Sequence, residues 1–283
     1  MTRPPSTRSA TRLADLADLA DRGWYSRAGR WAREAWLGCG RILFPASCTV
    51  CGAAGDALCP GCSAEALRAV ARPRIVDDLA GLDVLAPTRF APVASAGAYG
   101  GALAGALLEA KRAHGRPLLA RFGPALSRSL RLAASQRPPA PHGSEVWVIP
   151  VPASAPSLRR RGFWPIGELL AVARLPPGTR RVDALAWVPQ LRRRGRALAA
   201  LRLGSSSQKS RGRRGRAAAV RGSVKPRPGV DPRGAGVLLV DDVFTSGATL
   251  AECARVLRRA GAHVLGAAVV AHVPAPNPHC ADG

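Results

Sequence analysis

Apolar residues fall into two kinds of run along this chain, and their alternation predicts the fold class. From Trp31 to Phe44 the residues Trp31, Ala35, Trp36, Cys39 and Leu43 recur at helical spacing and stop before Pro45, which predicts a short helix. Helical patterns follow over 63–71, over Gly101 to Ser135 with a break at Gly115-Arg116-Pro117, over Pro165 to Leu175, and over Leu250 to Ala260 ending at Gly261. Between them lie short apolar runs at Val84-Leu85, Val93 to Tyr99, Glu145 to Val151, Val237 to Val243 and Val264 to Val273. Runs that stay apolar without alternation suit strands buried on both faces. Strands that alternate with helices predict an α/β fold with a mainly parallel sheet flanked by helices.

Two stretches break the pattern. Residues 1–30 are rich in Arg, Ser and Ala around a short Ala-Asp-Leu tandem, and are expected to form a disordered or weakly helical extension. Residues 190–236 carry a dense run of arginines, with Lys209 and Lys225, against the single acid Asp231, and predict a mobile basic loop. Over the whole chain 42 basic residues face 18 acidic ones, for a net charge of +24. That excess suggests a polyanionic partner. Only Lys111, Lys209 and Lys225 are lysines, however, and the arginine is accompanied by abundant Ala, Gly and Pro. This is the mark of a GC-rich coding sequence, so part of the charge is compositional drift. No apolar run approaches the 18 or so residues of a membrane span, and the N-terminus lacks the apolar core of a secretory signal. Seven cysteines, four of them clustered, suit a reducing cytoplasm and a metal site better than a disulfide scaffold.

The most specific segment is Val237-Leu238-Leu239-Val240-Asp241-Asp242-Val243-Phe244-Thr245-Ser246-Gly247-Ala248-Thr249-Leu250. An apolar strand delivers two adjacent carboxylates, then a turn of small residues, then a helix start. Successive strand residues point to opposite faces, so an acid pair at the carboxyl end of a buried strand has no place in a core. Ligands of open α/β sheets bind at those ends. Thr245, Ser246 and Thr249 offer hydroxyls, Gly247 lets backbone N–H groups approach, and the helix N-terminus adds partial positive charge, which together make a phosphate cradle. The alternative is a capped helix start with an acid pair on a surface turn. Cys48-x-x-Cys51 and Cys59-x-x-Cys62 form two knuckles of the spacing that lets paired thiolates grip one tetrahedral metal, with Gly52 and Pro60-Gly61 supplying tight turns. Four buried or redox-active thiols are the other reading.

The Asp241–Thr249 segment resembles the loop of type I phosphoribosyltransferases that holds phosphoribosyl pyrophosphate. A four-Cys module ahead of such a domain resembles the arrangement of the ComF family, which is associated with competence, the uptake of DNA. Three further segments carry the resemblance: Tyr99-Gly100-Gly101 with Leu107 to Lys111; Val148 to Pro152 followed by Arg159 to Phe163; and Gln208 with Arg216 and Arg221-Gly222. The pattern departs from the family at Trp164, Arg211 and Ala219, where Asn, Leu and Asn are usual, on the pyrophosphate side and in the basic hood. The resemblance implies a type I phosphoribosyltransferase-like domain over 84–275, with a hood at 190–236, preceded by a helix and a small zinc-binding module over 31–72. It implies that Asp241 and Asp242 contact the ribose hydroxyls as the catalytic acids, and that Thr245, Ser246, Gly247, Ala248 and Thr249 hold the 5′-phosphate. Lys111, Arg161 and Gly162 would serve the pyrophosphate. Mg²⁺ would accompany that ligand, and Cys48, Cys51, Cys59 and Cys62 would hold a structural Zn²⁺.

Two function classes follow. One is a cytoplasmic transferase moving phosphoribose from phosphoribosyl pyrophosphate to a nitrogen nucleophile, paired as a homodimer as such folds commonly are. The other is a non-catalytic nucleotide sensor or a module for single-stranded DNA or the DNA-uptake machinery, to which a basic hood and a zinc module are suited electrostatically. The nearest aromatic to the basic run is Trp187, whereas stacking platforms interleave aromatics with charge.

Overall fold

The computed structural model describes residues 46–76, 92–112, 114–136, 145–188 and 220–274. The predicted helix over Trp31 to Phe44, the strand at Val84-Leu85, the 1–30 extension and most of the basic stretch lie outside the described residues. The chain divides into two compact units. In the unit comprising 1–48 and 52–59, the described residues form a ribbon of β1 (Ala46–Ser47) and β2 (Ala54–Gly55), paired antiparallel. The turn between them closes with Gly52 N–H donating to the Cys48 carbonyl at 2.8 Å and Cys48 N–H donating to the Ala53 carbonyl at 2.7 Å.

The other unit, 49–51 with 60–283, holds α1 (Pro60–Ala69) and then a six-stranded sheet with its helices. Its elements run β3 (Arg74–Val76), β4 (Val93–Ala98), α2 (Gly101–Ala110), α3 (Arg116–Ala120), α4 (Gly123–Ser135), β5 (Val146–Pro150), α5 (Ala155–Arg161), α6 (Pro165–Val172), β6 (Thr179–Arg181), β7 (Leu185–Trp187), β8 (Val224–Pro226), β9 (Gly236–Phe244), α7 (Ala248–Arg259) and β10 (His263–His272). The strand order is β3-β4-β10-β9-β5-β6, with β3 antiparallel and every other pairing parallel. This is the α/β fold with a mainly parallel sheet that the unbroken apolar runs predict. β9 and β10 read as such runs because helices cover both faces. On one face Val237, Leu239, Ile149, Ala267 and Val269 pack with Leu250, Cys253, Ala254 and Leu257 of α7. On the other, β4 and β10 lie against α4 and β9 lies against α6.

Several elements differ from the sequence expectation. The pattern over 101–135 is three helices: the first break falls between Ala110 and Arg116, so that Arg116-Pro117 opens α3 rather than interrupting a helix, and a second precedes Gly123-Pro124 at the start of α4. The segment after β5 that carries Arg159 to Arg161 is helix α5. Ser154 Oγ caps it by accepting the Ser157 N–H, Pro156 lies in its first turn, and it stops at Gly162 in the left-handed region, φ 77°. At the far end of the expected basic loop, Val224–Pro226 is a strand, paired antiparallel with Leu185–Trp187. Neither partner looks like a strand alone, since only Leu185 and Val224 are buried. β3 and β6 were illegible for a related reason: each is a three-residue edge carrying arginine, the usual protection of a sheet margin.

Edge strand β3 is held by a partly buried polar chain. Arg74 Nη2 lies 3.1 Å from His272 Nε2, His272 Nδ1 lies 3.0 Å from Ser95 Oγ, and Ser95 Oγ donates to the Gly97 carbonyl at 3.0 Å. Arginine has no acceptor, so His272 Nε2 accepts and its proton sits on Nδ1, donating to Ser95.

Leu239 is fully buried in the central strand. Leu239→Ala is expected to lower the unfolding free energy by about 2–5 kcal/mol. Urea unfolding checks this: the midpoint falls while the m-value stays constant.

Candidate functional site

The ladder between β5 and β9 ends at Pro150 and Val240, with Val151 N–H donating to the Val240 carbonyl at 2.9 Å. β10 continues beside β9 as far as Phe244. Beyond Val240, therefore, β9 has a strand neighbour on one side only, and Asp241 and Asp242 occupy that margin at the carboxyl end of the sheet, where open α/β folds bind ligands. Thr245 and Ser246 then lead to Gly247, which takes φ 67° and forms the N-cap of α7. That left-handed turn suits glycine. No side chain caps α7 and no acid stands in its first turn, so its leading N–H groups have no intrahelical acceptor. Thr245 is exposed, Thr249 is half-buried, and Ser246, Gly247 and Ala248 are buried.

The two acids belong to opposite faces of β9. Asp241 continues the row of Val237 and Leu239 toward α7, and Asp242 continues that of Leu238 and Val240. Asp242 Oδ1 accepts from Lys111 Nζ at 3.0 Å; Lys111 is the C-cap of α2. Asp241 Oδ1 accepts the Asp242 backbone N–H at 2.8 Å. Burial foremost, and then the neighbouring Asp242 charge, push the Asp241 carboxyl up to about 7, against the opposing pull of that N–H bond and of the Lys111 and Arg161 charges. Behind Asp241, Cys253 of α7 has its thiol pushed up by burial, by Asp241 and by Glu252.

The structure thus brings Asp241, Asp242, Lys111 and the charge of Arg161 to one place, with the 245–249 turn continuing from it. Arg161 and Gly162 are the last residue and C-cap of α5; Arg159 and Arg160, in the same last turn, are exposed. A residue that sequence reasoning missed is Glu252, buried in α7. It accepts the Gly222 N–H at 2.7 Å and both Nε and Nη2 of Arg255 at 2.7 Å. The Glu252–Arg255 spacing on a helix was legible; the bond that ties Gly222 to the helix after the 245–249 turn joins residues 30 apart and was not. Trp187 packs against the core cluster, while Arg180 lies 4.8 Å from the Trp147 ring centroid and Arg181 lies 5.3 Å from that of Trp164. These rings already have partners within the chain.

Cys48, Cys51, Cys59 and Cys62 form a group whose sulfurs all lie within 4.8 Å of one another. A tetrahedral ion with thiolate bonds of about 2.3 Å sets sulfurs about 3.8 Å apart, so the set fits one ion with slight contraction. Cys48 and Cys62 are buried, and the Cys59 N–H donates to Cys48 Sγ at 3.4 Å, a bond that orients a ligand sulfur. Four soft thiolates select zinc or an iron–sulfur centre over hard cations. Among the described residues no helix is long and apolar enough to cross a membrane.

The raised Asp241 gives a pH signature. The folded state holds a proton that the unfolded chain releases from about pH 4 upward, so its contribution to stability falls as pH rises through the window from about 4 to about 7. Relative to Asp241→Asn, wild type is expected to lose up to about 1.4 kcal/mol per pH unit there. Thermal unfolding of both proteins from pH 4 to 8 reads the difference; parallel curves contradict it.

The sequence model described as the phosphoribosyl transferase domain matches residues 186–279. Adenine phosphoribosyltransferase of Mycobacterium avium (strain 104) is 53% identical over 45 residues, covering 16% of this chain and 25% of that protein. The enzyme of the same name from Mycobacterium marinum is 44% identical over 50 residues, covering 18% and 27%. The chain therefore spans about a quarter of the length of the curated relatives it matches. Among solved structures, a hypoxanthine phosphoribosyltransferase from Staphylococcus aureus aligns with a TM-score of 0.27 at 9% identity, over 55% of this chain and 62% of that one. Residues 186–279 of this α/β protein, which include the acid pair and its turn, are thus similar to the phosphoribosyl transferase domain.

Proposed function

We propose that this chain binds phosphoribosyl pyrophosphate with Mg²⁺ at the 241–249 loop and transfers the phosphoribosyl group to a nitrogen nucleophile. In this reading the domain occupies 84–275 and the four-Cys module 31–72, and the ComF resemblance assigns the protein to DNA uptake. The observation that supports the reading best is the acid pair at the open margin of β9, running into an uncapped helix N-terminus through Gly247. The leading N–H groups of α7 and the hydroxyls of Thr245, Ser246 and Thr249 hold the 5′-phosphate, assisted by the helix dipole. Asp241 and Asp242 accept from the ribose hydroxyls. Lys111, already at Asp242, and Arg161 offset the charge of the departing pyrophosphate, while Gly162 lets backbone approach it.

In the reaction the bond from C1′ to the pyrophosphate oxygen breaks, a bond from C1′ to the acceptor nitrogen forms, and pyrophosphate leaves. Mg²⁺ accompanies the pyrophosphate as part of the substrate and reduces its charge. The chain's share is orientation and fixed charge rather than general-base chemistry. The matched mycobacterial proteins are named for adenine, which makes purine bases the first acceptors to screen. The four thiolates hold a structural Zn²⁺, since a filled four-ligand set leaves no open position for chemistry.

Calorimetric titration of phosphoribosyl pyrophosphate with Mg²⁺ tests the ligand. Wild type is expected to bind in the micromolar range, and the Asp241→Asn/Asp242→Asn protein at least about 30-fold more weakly, the equivalent of about 2 kcal/mol. Equal binding by both, or none by wild type, overturns the assignment. Metal analysis of freshly purified protein is expected to find about one zinc per chain. Cys48→Ala should lose both the metal and several degrees of melting temperature.

A further inference from the structure

We infer that the first cysteine knuckle is set into helix α2 as a buttress, so that a filled thiolate site holds Lys111 in place against Asp242. The link to ligand affinity rests on the function proposed above; the mechanical link does not.

Helix α2 reads Gly-Ala-Leu-Ala-Gly-Ala-Leu-Leu-Glu-Ala. Its interior glycine, Gly105, stands among alanines, where an alanine would make the stronger helix. A Cβ at Gly105 would run into Val50 Cγ2 and lie 3.8 Å from Thr49 Oγ1. Thr49 and Val50 are the two residues inside Cys48-x-x-Cys51, so the tip of the knuckle occupies the space that a side chain on α2 would fill. Valine has few χ1 choices, so Val50 has little freedom to swing aside without the knuckle backbone moving.

A second contact of the same kind lies on β4. A Cβ at Gly97 would stand 2.5 Å from the carbonyl oxygen of Ala69, the last residue of α1. The same helix is gripped from the side: Arg121 Nη1 donates to Ser63 Oγ at 2.7 Å and Arg128 Nη2 donates to the Val70 carbonyl at 3.1 Å. Ser63 follows Cys62 in sequence, and Val50 precedes Cys51. Cys51 thus has a neighbour seated on α2, the helix that ends at Lys111, and Cys62 has a neighbour bonded to Arg121 at the end of α3.

Lys111 caps α2 six residues beyond Gly105, about 9 Å along the axis. Its ammonium meets Asp242 Oδ1 at 3.0 Å, so a shift of α2 by about 1 Å either lengthens the ion pair or must be taken up by the lysine stem. A bound ion ties four thiolates to one point; without it that tie is gone, and the knuckle loses its fixed shape. Val50 then no longer presses on Gly105 from one position, and the Lys111 end of α2 loosens.

Hydrogen exchange on the full chain, zinc-loaded and after chelation, reads this directly. In wild type, amides 105–111 are expected to exchange about tenfold faster once zinc is removed, while those of β9 and α7 change less than twofold. Val50→Ala should abolish that response. Gly105→Ala should release zinc to a chelator about tenfold faster than wild type, and Val50→Ala added to it should restore the wild-type rate. No acceleration over 105–111, equal acceleration in α7, or failure of the second substitution to rescue overturns the inference; if Gly105→Ala does not fold, wild type and Val50→Ala alone decide it. Calorimetry separates the two proposals. Wild type that binds no phosphoribosyl pyrophosphate refutes the function but leaves the exchange result standing. Zinc-free protein that binds it with unchanged affinity refutes the link from the metal to Lys111.

Discussion

Two carboxylates side by side on a strand, each losing hydration to the layers around it, are the constraint on which the rest of this site depends. Neighbouring acids repel, and burial adds to the cost of ionising both. The chain meets the two demands separately because β9 turns the acids to opposite faces. Asp242 receives the ammonium of Lys111, whereas Asp241 receives a backbone N–H and only the distant fields of Lys111 and Arg161. Of the two, Asp241 is inclined to keep its proton. Such an arrangement suits groups that meet hydroxyls, since a protonated carboxyl can donate as well as accept.

The elements that answer this constraint come from distant parts of the sequence. Lys111 closes α2, Arg161 closes α5, and the turn after β9 closes on Gly247 at the start of α7. All three helices follow strands of one parallel sheet, whose handed connections bring strand carboxyl ends to a single edge. Glu252 adds a fourth link, since it ties Gly222 to the same helix that begins at the turn. Positive charge in this chain is plentiful, so what distinguishes Lys111 and Arg161 from the other basic residues is placement rather than charge.

Much of this was legible in short windows of sequence. β5, β9 and β10 showed as unbroken apolar runs because both their faces are covered, and the acid pair with its small-residue turn stood out because no core accommodates it. The cysteines declared a metal-type group by spacing alone, and their sulfurs do lie together. Illegible elements were those whose stability comes from a partner. Leu185–Trp187 and Val224–Pro226 pair only with each other across a long excursion, and Ala155–Arg161 depends on a serine cap and a glycine stop around an arginine-rich turn.

The sequence by itself determined the class of fold, the acid-pair turn and the cysteine group, because each is encoded in hydrophobic period or in spacing along a few consecutive residues. Tertiary structure alone decided that Lys111 meets Asp242 across 131 residues, that Gly222 donates to Glu252, and that Val50 fills the space opened by Gly105. The reason is physical. A local window records which face of an element is apolar, whereas these contacts depend on the separation and angle at which whole elements pack, and no single segment carries that information.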